Sequence, residues 1–200
     1  MPIIVERSTV PKQVSVIVGS LRRGSIARTI ARNVIPMFPT AYQAQIVEIG
    51  QLPLYNFDYD DPGVSDKPTP DEYTLFRDQI KASDGVLFVT PENNRTIPAC
   101  LKNAIDIGSK PNSDVAWKGL PVGIISHSVG RMGGYSSQKN LRLALSYFDM
   151  PTVGQPEVFL SQSPELLAAD GTIAQESTVG FLQDYVDRLT RLIDLTTDGH

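Results

Sequence analysis

The chain has 200 residues, 41% of them hydrophobic and 20% charged with both signs mixed, which suits one compact domain and argues against wholesale disorder. A net charge of −4 gives no long-range attraction to nucleic acid or to an anionic membrane surface. The single cysteine, Cys100, excludes an intrachain disulfide and a cysteine-cluster metal site. The two histidines, His127 and His200, leave little for a multi-histidine site.

The stretch from Met1 to Gln13 lacks an apolar core followed by a cleavage site and does not read as a signal peptide. No apolar run approaches the roughly 20 residues that cross a bilayer. Residues 1–11 are therefore expected to be an N-terminal extension, and 12–200 a single domain of a cytoplasmic protein with no membrane or nucleic-acid partner.

Strand and helix patterns then alternate. Gln13 to Val18 is a short β-branched run that ends in a Gly19-Ser20 turn. From Ser25 the pattern is helical, with Ile26, Ile30, Val34 and Phe38 recurring every fourth residue until Pro36 ends or kinks the last turn. Tyr42 to Ile49 reads as a second strand, and Gln51 to Pro68, rich in Pro, Asp, Gly and Tyr, as a long irregular connection. Thr69-Pro70-Asp71-Glu72 predicts a helix start, with Thr69 as cap, Pro70 in the first position and Glu72 closing a capping box. Tyr73, Phe76 and Ile80 form that helix's buried stripe. Val86 to Thr90 is a third strand, and Pro98 opens a helix to about Ile107. Pro121 to Ser126 is a fourth strand, followed by a loop to Gly134 and a helix carrying Leu141, Leu145 and Phe148. Val153 to Leu160 is expected as the fifth strand, and Phe181 to Ile193 as a last amphipathic helix. Strands alternating with helices imply an α/β fold with a parallel sheet covered on both faces. At this size the pattern fits a flavodoxin-like three-layer sandwich, five-stranded with order 2-1-3-4-5, whose ligand sits at the carboxyl ends of the strands.

Gly19-Ser20-Leu21-Arg22-Arg23-Gly24-Ser25 joins the first strand to the first helix. A helix N-terminus leaves N–H groups unpaired and carries partial positive charge, so it attracts phosphate. Ser20 and Ser25 add hydroxyls, and Arg22 can grip phosphate oxygens. Ser25-Ile26 stands where a P-loop needs Lys-Ser/Thr, and Leu21 spoils a dinucleotide fingerprint. A monophosphate site remains, beside the plainer reading of a capped helix with solvated arginines. Pro91-Glu92-Asn93-Asn94 follows the third strand and belongs at the same sheet edge.

The run PENNRTIPACLKNAID, Pro91 to Asp106, resembles the signature of the NADPH-dependent FMN reductase family, in which a P-E-Y-N turn precedes a helix containing L-K-N-A-I-D. Gly19, Ser20, Arg22 and Ser25 match that family's phosphate loop, and Ser126 to Gly134 its glycine loop. The resemblance spans roughly residues 12–160. It implies a flavodoxin-like fold, non-covalent FMN, NADPH or NADH as electron donor, and a homodimer or homotetramer. It implies an oxidoreductase passing hydride through FMN to a flavin, quinone, azo dye or metal oxyanion. By position, Ser20, Arg22, Ser25 and the amides of Ile26 and Ala27 would hold the phosphate. Pro91, Glu92, Asn93 and Asn94 would line the isoalloxazine, and Ser126, His127, Ser128, Gly130 and Gly133 its other edge. Lys102 and Asp106 look structural. Asn93 stands where the family usually has tyrosine, Ala27 where asparagine is common, and Ile107-Gly108 where tryptophan-leucine is usual.

No side chain need act as nucleophile or base, since a flavin carries such chemistry itself. His127 suits a hydrogen-bonded loop histidine as well as a flavin contact. Cys100, Trp117 and Tyr55 read as packing residues. Arg95 and Arg131 flank the site, either solvated or on a nicotinamide phosphate. Two other classes fit the same loops: a flavodoxin-type electron carrier, and a redox-responsive flavin-binding interaction protein without significant turnover.

Overall fold

A computed structural model describes residues 10–197. Residues 1–9, most of the expected N-terminal extension, and His200 lie outside the described residues. Five strands form one parallel sheet: β1 (Lys12–Val18), β2 (Tyr42–Val47), β3 (Gly85–Pro91), β4 (Val122–His127) and β5 (Val158–Leu160), in the order β2-β1-β3-β4-β5. The intervening helices are α1 (Ile26–Val34), α2 (Asp71–Lys81), α3 (Ala99–Gly108), α4 (Tyr135–Ser146) and α5 (Glu176–Thr197). This is the expected flavodoxin-like sandwich. The strands are buried on both faces, so their residues divide between two cores. Ile17, Phe88 and Ile124 pack under α2, α3 and α4. Val16, Val89 and Ile125 pack under α1 and α5.

Pro36 converts the end of the first helix to a 3-10 turn, Ile35–Met37. The predicted capping box does not form. Pro70 is the N-cap of α2, and the Thr69 hydroxyl donates instead to Tyr59 O at 2.6 Å. The connection before α2 is held elsewhere. Arg77 on α2 makes a bidentate pair with Asp60 at 2.8 and 2.7 Å and donates from Nε to Ile107 O at 2.8 Å, with both side chains almost wholly buried.

The fifth strand is shorter than expected. Val153 N donates to Val122 O at 3.0 Å, but residues 154–157 leave the sheet. Tyr185 of α5 fills the gap. Its hydroxyl accepts from Ile124 N at 2.6 Å and lies 3.1 Å from Ile124 O, serving both groups that a continuous β5 would have served. Burial pushes this phenol's pKa up to about 12.

Candidate functional site

The carboxyl ends of β1, β3 and β4 open into a cavity of about 610 Å³. Its first wall is the loop after β1. Gly19 N donates to Val89 O at 2.9 Å, which holds the loop against β3, and a Cβ on Gly19 would lie 2.7 Å from Thr90 Oγ1. Only glycine fits that approach. Ser25 caps α1, its Oγ accepting from Arg28 N at 3.1 Å. Among the described residues, the backbone N–H groups from Ser20 to Ala27 have no intrachain acceptor, and no carboxylate pairs with Arg22 or Arg23. Arg28, by contrast, is committed to Glu48 through two 2.6 Å contacts. The loop thus offers several convergent donors and an unpaired guanidinium, the requirements of a phosphate site.

The second wall is the segment after β3. Asn93 and Thr96 exchange backbone hydrogen bonds at 3.0 Å each, and Asn94 and Arg95 between them have φ of 49° and 66°. That is the geometry of a two-residue reverse turn of the primed type. It carries Asn94 to the tip and away from the cavity. Glu92 lines the cavity, yet its Oε2 accepts from Ser136 N at 2.9 Å and Ser137 N at 3.3 Å. The α4 N-cap is Gly134, which has no side chain, so Glu92 caps α4 from a neighbouring loop. Ser137 Oγ donates in turn to Pro91 O at 3.0 Å. The α4 N-terminus is therefore already occupied by an anion, and the α1 N-terminus remains open to one.

The third wall follows β4. His127 is the last residue of β4 rather than a loop residue, and it is buried, with Nδ1 2.9 Å from Ser163 Oγ. Burial lowers its pKa to about 4, so the ring is neutral. Ser128 and Val129 complete this rim.

Ser126, Gly130 and Gly133 do not line the cavity. Ser126 is fully buried on the α4 side, with Oγ 3.0 Å from Gly133 O and 3.1 Å from Val158 O. Gly133 has φ of 58° and sits so close to β5 that a Cβ would fall 2.6 Å from the Phe159 carbonyl carbon. Gly130 O accepts from Gln162 N at 3.0 Å. These residues shape the rim through the backbone. Ser20, Arg22, Ser25, Ile26, Ala27, Pro91, Glu92, Asn93, His127 and Ser128 do line it together.

Sequence reasoning missed Pro98, Ala99 and Cys100, which form the floor from the start of α3. Proximity of that helix start to the loop after β3 was the available signal. The Cys100 thiol is half-buried, and burial raises its pKa, so it is no activated thiolate. Lys102 and Asp106 pair with each other along α3 at 2.7 and 2.8 Å. Trp117 and Tyr73 are core residues, and Tyr55 stacks on Tyr73.

A donor-rich end with an unpaired arginine, joined to a wall of Pro91, Pro98, Ala99 and Val129, fits an elongated ligand with a phosphate at one end and a flat ring at the other. The volume lies within the usual range for small-molecule sites. FMN meets that description. Fold and cavity together define a flavodoxin-like protein of the flavin-nucleotide-binding type.

The NADPH-dependent FMN reductase family model matches residues 13–165. A quinone reductase of Pseudomonas putida is 42% identical over 91% of this chain and 95% of its own length. A 2-hydroxy-1,4-benzoquinone reductase of a Burkholderia species is 39% identical over 88% and 93%. Among solved structures, FerB of Paracoccus denitrificans, a flavoenzyme NAD(P)H:(acceptor) oxidoreductase, superposes with a TM-score of 0.82 at 33% identity, covering 92% of this chain and 97% of FerB. The chain belongs to the NADPH-dependent FMN reductase family, oxidoreductases that use FMN and a nicotinamide donor. Among the described residues, no helix is long and apolar enough to cross a membrane, and no group of three metal-binding side chains converges.

Proposed function

We propose that this chain is an NAD(P)H-dependent reductase of small acceptors, quinones foremost, working through non-covalently bound FMN as a cytoplasmic homodimer or homotetramer. The observation that carries the reading is the single cavity joining the open α1 N-terminus to the β3 and α3 wall. Quinones come first because the relatives at 42% and 39% identity are named for them. FMN supplies the hydride chemistry when bound.

The protein's part is to bind and orient. Ser20, Arg22, Ser25 and the N–H groups of Ile26 and Ala27 hold the phosphate. Pro91 and Asn93, with Ser128 and Val129 opposite, border the ring and leave an open face for nicotinamide and acceptor in turn. Glu92 serves this site by fixing its two rims to each other. Asn94, Ser126, Gly130 and Gly133 contribute through loop geometry and not by ligand contact. No side chain acts as an obligatory acid or base.

The test is titration of the purified, flavin-free protein with FMN. Quenched flavin fluorescence, raised thermal stability and NAD(P)H-driven quinone reduction are expected, with parallel double-reciprocal lines for donor and acceptor. Unchanged fluorescence and stability would refute the reading. Intersecting lines would refute the shared face.

A further inference from the structure

Three loops leave the carboxyl edge of the sheet side by side, because β1, β3 and β4 are neighbours in the strand order. At ordinary strand spacing the loops after β1 and β4 start about 10 Å apart. Between them they expose Leu21, Val129 and Met132, which are 54%, 73% and 57% accessible. Leu21 and Val129 belong to the first and third walls of the cavity, so these side chains stand around its mouth. Single exposed apolar residues are ordinary, but a group of them around one opening marks a contact surface.

The same three loops carry Arg22, Arg23, Arg95 and Arg131. All four are exposed, and none pairs with a carboxylate among the described residues. Other arginines of the chain are committed: Arg28 to Glu48, Arg77 to Asp60 and Arg142 to Glu157. The acidic residue of these loops, Glu92, is spent on capping α4. With Arg22 given to the FMN phosphate, three guanidiniums remain for a partner outside the cavity.

Charge and apolar surface together select that partner. A second copy set face to face on this rim would bring arginine against arginine. A soluble polyanion would satisfy the arginines and leave Leu21 and Met132 in water. An anionic bilayer offers phosphates at its surface and hydrocarbon just beneath, and peripheral binding draws on both. The net charge of −4 makes this a short-range contact, formed where the arginines face the lipid.

We propose that this rim seats on an anionic lipid surface, with Arg23, Arg95 and Arg131 on headgroup phosphates and Leu21 and Met132 in the acyl boundary. The cavity mouth then meets quinones whose hydrocarbon tails stay in the bilayer. The acceptor half rests on the quinone-reductase reading above, and the docking half does not. In the overall step NAD(P)H, one proton and the quinone become NAD(P)⁺ and hydroquinone.

The purified protein, with FMN added, is floated with vesicles of phosphatidylcholine alone and of phosphatidylcholine with an equal part of phosphatidylglycerol. Binding is expected to the mixed vesicles only, and to fade as salt rises. Replacing Arg23 and Arg131 together by glutamine should weaken it about 25-fold, at about fivefold per basic residue. Met132→Ser should weaken it about five- to tenfold through lost apolar burial. With NADH as donor, Met132→Ser should slow reduction of a long-chain quinone held in the mixed vesicles and leave a short-chain quinone in solution unaffected. No binding to mixed vesicles, equal binding to neutral ones, or full affinity in either variant would overturn the docking. So would inorganic polyphosphate binding as tightly as the vesicles, which would make a soluble polyanion the partner. Turnover of the dissolved quinone with none of the embedded one would overturn the acceptor half alone. No turnover of either quinone would overturn the reductase reading and the acceptor half with it, while flotation would still decide the docking.

Discussion

Replacing Glu92 tests whether the cavity wall is held from outside the ligand. Its Oε2 accepts from Ser136 N and Ser137 N at 2.9 and 3.3 Å, and Gly134 offers α4 no side-chain cap of its own. Removing a capping acceptor costs roughly 0.5–2 kcal/mol. Removing a carboxylate from a helix N-terminus costs about 0.3–1 kcal/mol more. Glu92→Ala should therefore destabilise the flavin-free protein by about 2 kcal/mol. Glu92→Gln keeps an acceptor and loses only the charge, so about half that is expected. For a domain of this size the alanine variant should melt about 4–8 °C lower. Urea unfolding followed by Trp117 fluorescence measures both, since this is the chain's one tryptophan and it is fully buried. The difference between glutamate and glutamine should shrink as salt screens the charge. An alanine variant as stable as the parent would refute the capping role. A glutamine variant as weak as alanine would refute the division between charge and acceptor.

Arg22→Ala should weaken FMN by roughly ten- to a hundredfold, as one charge-assisted hydrogen bond is worth about 1.5–3 kcal/mol, and leave riboflavin unchanged. Equal losses for both flavins would place Arg22 away from the phosphate. Acid should destabilise the native protein through His127, whose folded pKa of about 4 lies below its ordinary 6.5. The unfolded chain takes up the proton first, so this contribution is complete above pH 6.5 and is lost as pH falls through 4, by about 3 kcal/mol in all. Compared with His127→Gln in urea melts between pH 7 and 4, the parent should lose more stability by that margin, and parallel profiles would refute the linkage. Asn93→Tyr should tighten FMN by no more than about thirtyfold, from 40–80 Å² of added apolar contact at about 25 cal/mol per Å². Because the Asn93 backbone is tied to Thr96 in both directions, the turn should persist, and the ratio of turnover on a bulky azo dye to that on a small quinone should change. A constant ratio would remove position 93 from the acceptor's path.

The sheet was legible because its strands are short apolar runs cut off by glycine or proline, and the phosphate loop because its residue types and place after β1 leave few other uses. What escaped depended on partners distant in the chain. Nothing near Val153 to Leu160 announces that Tyr185 will insert its hydroxyl beside Ile124 and end the strand pairing. Thr69 had local capping chemistry, but Tyr59 O competed for its hydroxyl and won. Glu92 has the side chain of a ligand contact, and only the fold reveals that α4 begins beside it. Ser126 and Gly133 belonged to a recognisable loop, yet strand alternation and the closeness of Phe159 turn them inward.

The segment between β2 and α2 makes almost no regular backbone ladder of its own, and it hangs from the two helices behind it. Asn103 of α3 accepts from Tyr55 N at 2.7 Å and donates to Pro53 O at 3.0 Å, while Tyr73 of α2 donates to Leu54 O at 2.9 Å. Arg77 holds Asp60 at the segment's other end. Such a segment has no independent way to open: freeing the Tyr55 amide requires Asn103 to let go. In hydrogen exchange, Tyr55 should therefore follow the slow amides of α3 and not the fast ones of exposed loops. A protease meeting the native protein would find residues 51–60 as resistant as a helix.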